Sequence, residues 1–143
     1  MSKITSAFRS GKAFIPFVTC GDPSLDVTEQ IVYAMADAGA DLIELGIPFS
    51  DPTAEGPVIQ EANLRALRGG VTTDQVFALV QDLRRDVTVP LVFMTYANVI
   101  FSYGIEAFAQ KHFPDTEIIL FLHGPCNRLL DTLCHNMSVG KVI

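Results

Sequence analysis

Short apolar runs alternate with stretches of helical periodicity along residues 14–111, and few folds accept that order. Residues 14–19, 41–45 and 90–95 are each strand-length and apolar on both faces, as expected of parallel strands covered by helices. After the first, Gly21-Asp-Pro23 breaks the chain. Residues 26–38 then place Val27, Ile31, Ala34, Met35 and Ala38 on one helical face, with Gly39 where a C-cap is expected. Residues 57–67 predict a short helix ended by Gly69-Gly70. Thr72-Thr-Asp-Gln75 has capping-box spacing and opens a helix with Val76, Leu79, Val80, Leu83 and Val87 on its buried side. Ile105, Phe108 and Ala109 mark a further helix ending near Lys111. With no hairpin turn between strands, the order β-α-β-α-β-α predicts an α/β fold with a parallel sheet. Pattern alone admits a closed barrel or an open doubly wound sheet. The absence of a glycine-rich fingerprint after the first strand counts against the dinucleotide-binding form of the latter.

Composition narrows the partners. Hydrophobic residues make up 49% of the 143 and charged residues 18%, so the chain can bury a core. Ten Lys and Arg against sixteen Asp and Glu give a net charge of -6, which leaves no basic patch to neutralise nucleic-acid phosphates. A small phosphorylated substrate stays compatible, since helix N-termini can hold phosphate through backbone N–H groups. The first apolar run, 13–20, is short and contains Pro16 and Thr19. No segment approaches the roughly 18 apolar residues that cross a bilayer, so no leader and no membrane partner are expected. Three cysteines, far apart, make no disulfide framework, and a cytoplasmic protein with reduced thiols is the expectation.

Four features carry chemistry. In Asp41-Leu-Ile-Glu-Leu-Gly46, strand alternation puts Ile43 and Leu45 on one face and Leu42, Glu44 and Gly46 on the other. A carboxylate on a buried face is costly unless paired or protonated, and desolvation raises its pKa toward the range of general acid–base work. Glu44 also lies near the C-terminal end of its strand, where parallel α/β folds place active sites. The competing reading is a structural Glu bonded to amides or an Arg. The loop Pro48-Phe-Ser-Asp-Pro-Thr-Ala-Glu-Gly-Pro57 leaves the same strand end and carries Asp51 and Glu55. Two carboxylates near one cavity can divide acid and base duties. Alternatively, Asp51 caps a turn and Glu55 opens the helix at Pro57. Tyr96 and Asn98 follow the third strand; a Tyr there can line a pocket and present its hydroxyl at a polar edge, or pack in the core. Phe17 faces the same choice.

Glu44-Leu-Gly-Ile-Pro-Phe-Ser-Asp-Pro52, followed by Ala54-Glu-Gly-Pro57 and Gln60, resembles the signature segment of the tryptophan synthase alpha subunit. Pro16-Phe-Val-Thr19 with Gly21-Asp-Pro23, and Tyr96-Ala-Asn98 with Gly104-Ile105, agree with that family in order and spacing over residues 5–111. The resemblance implies a (β/α)8 TIM barrel in tryptophan biosynthesis that cleaves indole-3-glycerol phosphate to indole and glyceraldehyde 3-phosphate by a retro-aldol step. It implies Glu44 and Glu55 as catalytic carboxylates, with Glu44 protonating the ring carbon and Glu55 stabilising charge at the indole nitrogen. Phe17 and Tyr96 are then substrate-binding residues. Pro48, Asp51 and Asn98 lie toward the pyridoxal-phosphate-dependent beta subunit of an αββα heterotetramer. No metal or cofactor is implied on this chain. Thr53 stands where the family has an aliphatic residue, and Glu55 is one methylene longer than the family's usual Asp.

The resemblance stops near His112. A complete barrel takes about 250 residues, so the expectation is an incomplete one: residues 1–111 as the first three βα units, and 112–143 as an unmatched tail. The later loops, where such barrels bind phosphate, would be missing, and lyase activity is expected to be weak or absent. The alternative function is a non-catalytic module docking on the beta subunit through residues 48–57. The tail has room for a strand over 117–122 and a helix over 127–133. His123, Cys126, Cys134 and His135 superficially offer four zinc ligands, but their spacing fits no familiar zinc module.

Overall fold

The computed structural model describes residues 7, 8, 11–111 and 116–121. Four strands, β1 (Phe17–Thr19), β2 (Ile43–Gly46), β3 (Leu91–Tyr96) and β4 (Thr116–Phe121), form one sheet in the order β1-β2-β3-β4, with every pairing parallel. Helix α1 (Leu25–Asp37) joins β1 to β2. Helices α2 (Pro57–Arg68) and α3 (Thr73–Leu83) join β2 to β3, and α4 (Ala97–Tyr103) and α5 (Ile105–Ala109) join β3 to β4. Sequential parallel strands with helical crossovers are the N-terminal part of a (β/α)8 barrel. The register aligns Phe17 with Glu44 and Glu44 with Val92, so side chains of one parity on all three strands share a face.

The helix-facing side is the main core. Val18, Ile43, Leu45, Leu91 and Phe93 from the strands pack with Val32 of α1, Ile100 of α4, Phe108 of α5 and the buried side of α3. All five apolar positions expected to face inward from α3's sequence are buried, and Phe77 joins them. Its ring meets those of Phe93, Tyr103 and Phe108 edge-on, with centroids 5.5, 5.5 and 5.1 Å away. The capping box is formed. Thr72 Oγ1 accepts from Gln75 N–H at 3.3 Å, and Gln75 Oε1 accepts from Thr72 N–H at 3.0 Å. On the opposite sheet face, Leu42 and Val92 pack with Ala7, Ala13 and Ile15.

The elements depart from the sequence expectations at four points. β1 begins at Phe17 rather than at residue 14, because Pro16 has no N–H to give a ladder and Phe14 is half exposed at its approach to Asp41. The buried face of α1 centres on Thr28 and Val32, whereas Ala34 and Ala38 are exposed. Thr28 can sit there because its hydroxyl is satisfied twice: it donates to Ser24 C=O and accepts from Gly21 N–H, both at 2.9 Å. Helix α3 stops at Leu83, and Val87 is buried from the following turn, which Arg84 closes by donating to the carbonyls of Val87 and Val89. Helix α4 was not expected. It has no capping side chain and buries only Ala97 and Ile100, before Gly104 at φ +99° separates it from α5. The fourth strand appears at Thr116–Phe121, parallel to β3, close to the 117–122 expectation. The expected helix at 127–133 and the tail's His and Cys residues lie outside the described residues.

Candidate active site

The C-terminal ends of β1, β2 and β3 surround a cavity of about 170 Å³, lined by Phe17, Glu44, Glu55, Asn63, Met94 and Tyr96, among others. Its floor depends on a missing side chain. A Cβ on Gly46 would lie 2.7 Å from the Phe17 ring, so glycine at this position leaves room for that ring in the cavity wall. Phe17 is therefore a pocket residue as well as a packing one.

Glu44 projects from β2 on the face opposite Ile43 and Leu45, both wholly buried in the core. Its carboxyl has no hydrogen bond or ion pair among the described residues, and burial pushes its pKa above the ordinary glutamate value of 4.5. The structural-carboxylate alternative required amides or an Arg as partners, and the described residues supply none. A protonated carboxyl facing an apolar cavity can donate a proton and take one back.

Glu55 reaches the same cavity from the β2–α2 loop, where Tyr96 fixes it. The Tyr96 hydroxyl donates to Glu55 Oε2 and accepts from Ala54 N–H at 2.9 Å. Its pKa is raised, first by burial and then by the carboxylate it serves. The Tyr96 ring packs at 5.1 Å on Phe49, whose N–H donates to Asn63 Oδ1 at 3.3 Å. The Asn63 amide also donates to Ile59 C=O at 3.1 Å, so one buried side chain ties α2 to the base of the loop. Tyr96 thus fills both roles the sequence left open, packing with its ring and positioning with its hydroxyl.

Asp51 and Asn98 are exposed, with Asp51 accepting from the Ser50 hydroxyl at 2.5 Å, whereas Pro48 is buried within the chain. Of the three residues assigned to a partner surface, two present their side chains outward. Sequence reasoning did not select Gly46, Phe49, Asn63 or Thr95. The signal for Asn63 was a polar residue between Ala62 and Ala66 on the inward stripe of α2. Thr95, 1% exposed, has a hydroxyl with no hydrogen-bond partner among the described residues, and no periodic pattern marks it.

Two acidic side chains, a desolvated one on β2 and a tyrosine-held one on the loop that follows it, share a cavity at the end of the parallel sheet where proteins of the (β/α)-barrel class carry their active sites. Residues 4–117 match the family of the tryptophan synthase alpha chain, and this chain belongs to that family. The alpha chain of Lactiplantibacillus plantarum is 51% identical over 111 residues, covering 78% of this chain and 42% of the relative. That of Alkaliphilus metalliredigens is 53% identical over 100 residues, 70% of this chain and 38% of its own length. The crystal structure of tryptophan synthase subunit alpha from Legionella pneumophila superposes with a TM-score of 0.85 at 34% identity, over 95% of this chain and 56% of that one. The tryptophan synthase complex of Pyrococcus furiosus gives 0.77 at 34% identity, over 87% and 53%. The chain therefore spans about two-fifths of the length of these curated relatives. The match runs past Lys111 to the start of β4.

Proposed function

We propose that this pocket performs the proton transfers of indole-3-glycerol-phosphate cleavage, the lyase step of tryptophan biosynthesis, in a cytoplasmic protein. The observation that carries the reading is the desolvated Glu44, without a partner among the described residues, facing a cavity that also receives the Tyr96-held carboxylate of Glu55. Indole is a flat apolar bicycle with one N–H donor, and the cavity offers it Phe17, Met94 and Ile59 with Glu55 at the rim. Protonated Glu44 delivers its proton to the ring carbon bearing the side chain, and the nitrogen lone pair supplies the electrons. The iminium so formed is an acid at nitrogen, and the Glu55 carboxylate accepts a hydrogen bond from that N–H. Loss of the side-chain hydroxyl proton to the Glu44 carboxylate then breaks the carbon–carbon bond. Its electrons return to the ring, and indole and glyceraldehyde 3-phosphate separate. The sequence needs no metal or cofactor.

Residues 1–111 act in this reading as the first three βα units, and 112–143 as a tail beginning with β4. The proton-transfer half of the reaction can be measured on this chain apart from cleavage of the phosphorylated substrate. In deuterium oxide, reversible protonation by Glu44 exchanges the hydrogen at indole's third ring carbon. The expected result is enzyme-dependent loss of that proton signal by NMR, abolished by Glu44→Gln and reduced about 100-fold or more by Glu55→Ala. Exchange no faster than in buffer alone would rule the reading out.

A second reading rests on the exposed Asp51 of the loop over residues 48–57, together with the exposed Asn98 and the half-exposed Phe101 of α4. It makes the chain a module that docks on a tryptophan synthase beta subunit, in place of the alpha subunit of an αββα complex. Co-elution with that beta subunit, weakened by Asp51→Lys, supports it. Separate elution at micromolar concentration removes it.

A further inference from the structure

Helix α2 has little apolar surface with which to hold its place. Its buried residues are Ala62, Asn63 and Ala66, while Val58 and Leu64 stand 76% and 42% exposed. Two alanine methyls, with Ile59 and Leu67 only half-buried, remove little area from water for a helix of this length. Yet this helix anchors the loop that ends in Glu55, and its Asn63 and Ile59 line the cavity. Its outer half carries a two-point contact instead. Arg65 Nε donates to Asp22 Oδ1 and Arg65 Nη2 to Asp22 Oδ2, each at 2.8 Å. The guanidinium holds the Asp22 carboxyl below its ordinary range.

Asp22 is itself mounted rigidly. The turn that carries it is pinned to the sheet by Cys20 N–H on Gly46 C=O at 2.9 Å and to α1 by Gly21 N–H on Thr28 Oγ1 at 2.9 Å. Gly21 sits at φ +86°, and a Cβ there would fall 2.3 Å from Val71, three residues beyond the last residue of α2. The end of α2 and the β1–α1 turn are thus pressed together at two neighbouring places. A fork-to-carboxylate pair fixes orientation as well as distance, which a single apolar contact does not.

We propose that Asp22 and Arg65 are positioning residues for the candidate active site, a latch that sets α2 and through it the seat of Glu55. The assignment of Glu55 as a site residue rests on the lyase reading, but the mechanical claim does not. The latch acts along a defined path: Arg65 holds α2, Asn63 of α2 holds Phe49, Phe49 packs on Tyr96, and Tyr96 holds Glu55 and Ala54.

The test is amide hydrogen exchange on this chain by NMR, comparing the loop amides of Phe49 and Ala54 with the sheet amides of Ile43 and Glu44. Arg65→Ala and Asp22→Asn are each expected to speed exchange at Phe49 and Ala54 roughly three- to tenfold and to leave Ile43 and Glu44 unchanged. Leu64→Ala, on the exposed side of the same helix, is expected to change none of the four. Unchanged exchange at Phe49 and Ala54 in both latch variants overturns the proposal. So does an equal rise at all four amides, which would make the pair a contributor to global stability only. No substrate enters the measurement, so its outcome is independent of whether indole is the ligand.

Discussion

Helices α2 and α3 follow one another between the same two strands, are nearly equal in length, and do opposite work. Helix α3 buries Val76, Phe77, Leu79, Val80 and Leu83, opens with a complete capping box, and touches the cavity nowhere. Helix α2 buries two alanines and an asparagine, has glycine rather than a capping side chain at its N-terminus, and supplies Ile59 and Asn63 to the cavity. One helix is held mainly by area removed from water, while the other adds directional polar contacts to a smaller buried area. A barrel rim that must present chemistry gives up apolar burial there and recovers position through hydrogen bonds. β2 divides the same two duties between its faces, with Ile43 and Leu45 inward to the helices and Glu44 and Gly46 toward the cavity.

Substitutions that break the contrast should rank accordingly. Phe77→Ala removes the hub of the aromatic cluster and is expected to cost about 3–5 kcal/mol in denaturant unfolding. Asn63→Ala leaves Phe49 N–H without its acceptor and should cost about 1–3 kcal/mol, with the loss of order concentrated at the loop rather than spread over the fold. Thr72→Ala opens the α3 capping box and should cost about 1 kcal/mol. Val58→Ser, on the exposed side of α2, should stay within about 0.5 kcal/mol of the parent; a larger loss would mean that α2 is held by apolar contact after all.

The contrast also has a pH signature. The folded-state pKa of Glu44 is raised, so the fold favours its protonated form, and ionisation becomes a penalty as pH climbs from about 4.5 through the folded value. Glu44→Gln removes that penalty. The variant should melt above the parent at neutral pH and match it near pH 4, by calorimetry across that range. Asp22 has the opposite sign. Its folded pKa is lowered, so its contribution is present above the ordinary value of 3.8 and fades as pH falls through the folded one.

The same division explains what could be read from the residues alone. The inward face of α3 follows from apolar spacing because area decides it, and the alternation around Glu44 follows from the pleat. Helix α1 was placed correctly and Ile31 and Met35 of its expected face pack on the core, but Ala34 and Ala38 are exposed and a twice-bonded Thr28 takes a buried position that apolar counting does not assign. Helix α4 has too few buried residues and no cap to announce it. At the site, Glu44, Glu55, Phe17 and Tyr96 were legible, and the structure brings all four to one cavity. Asn63 and the Asp22–Arg65 pair were not, because polar partners 14 and 43 residues apart leave no periodic trace.

The most direct measurement is a pH titration of the Glu44 side-chain carboxyl carbon by NMR, with Glu44→Gln used to assign the resonance. A midpoint clearly above the ordinary 4.5, rising further when indole fills the cavity and excludes water, is the result this account predicts. A midpoint at or below 4.5 would mean that the carboxylate is paired, and Glu44 would then be a structural group rather than the acid of this site.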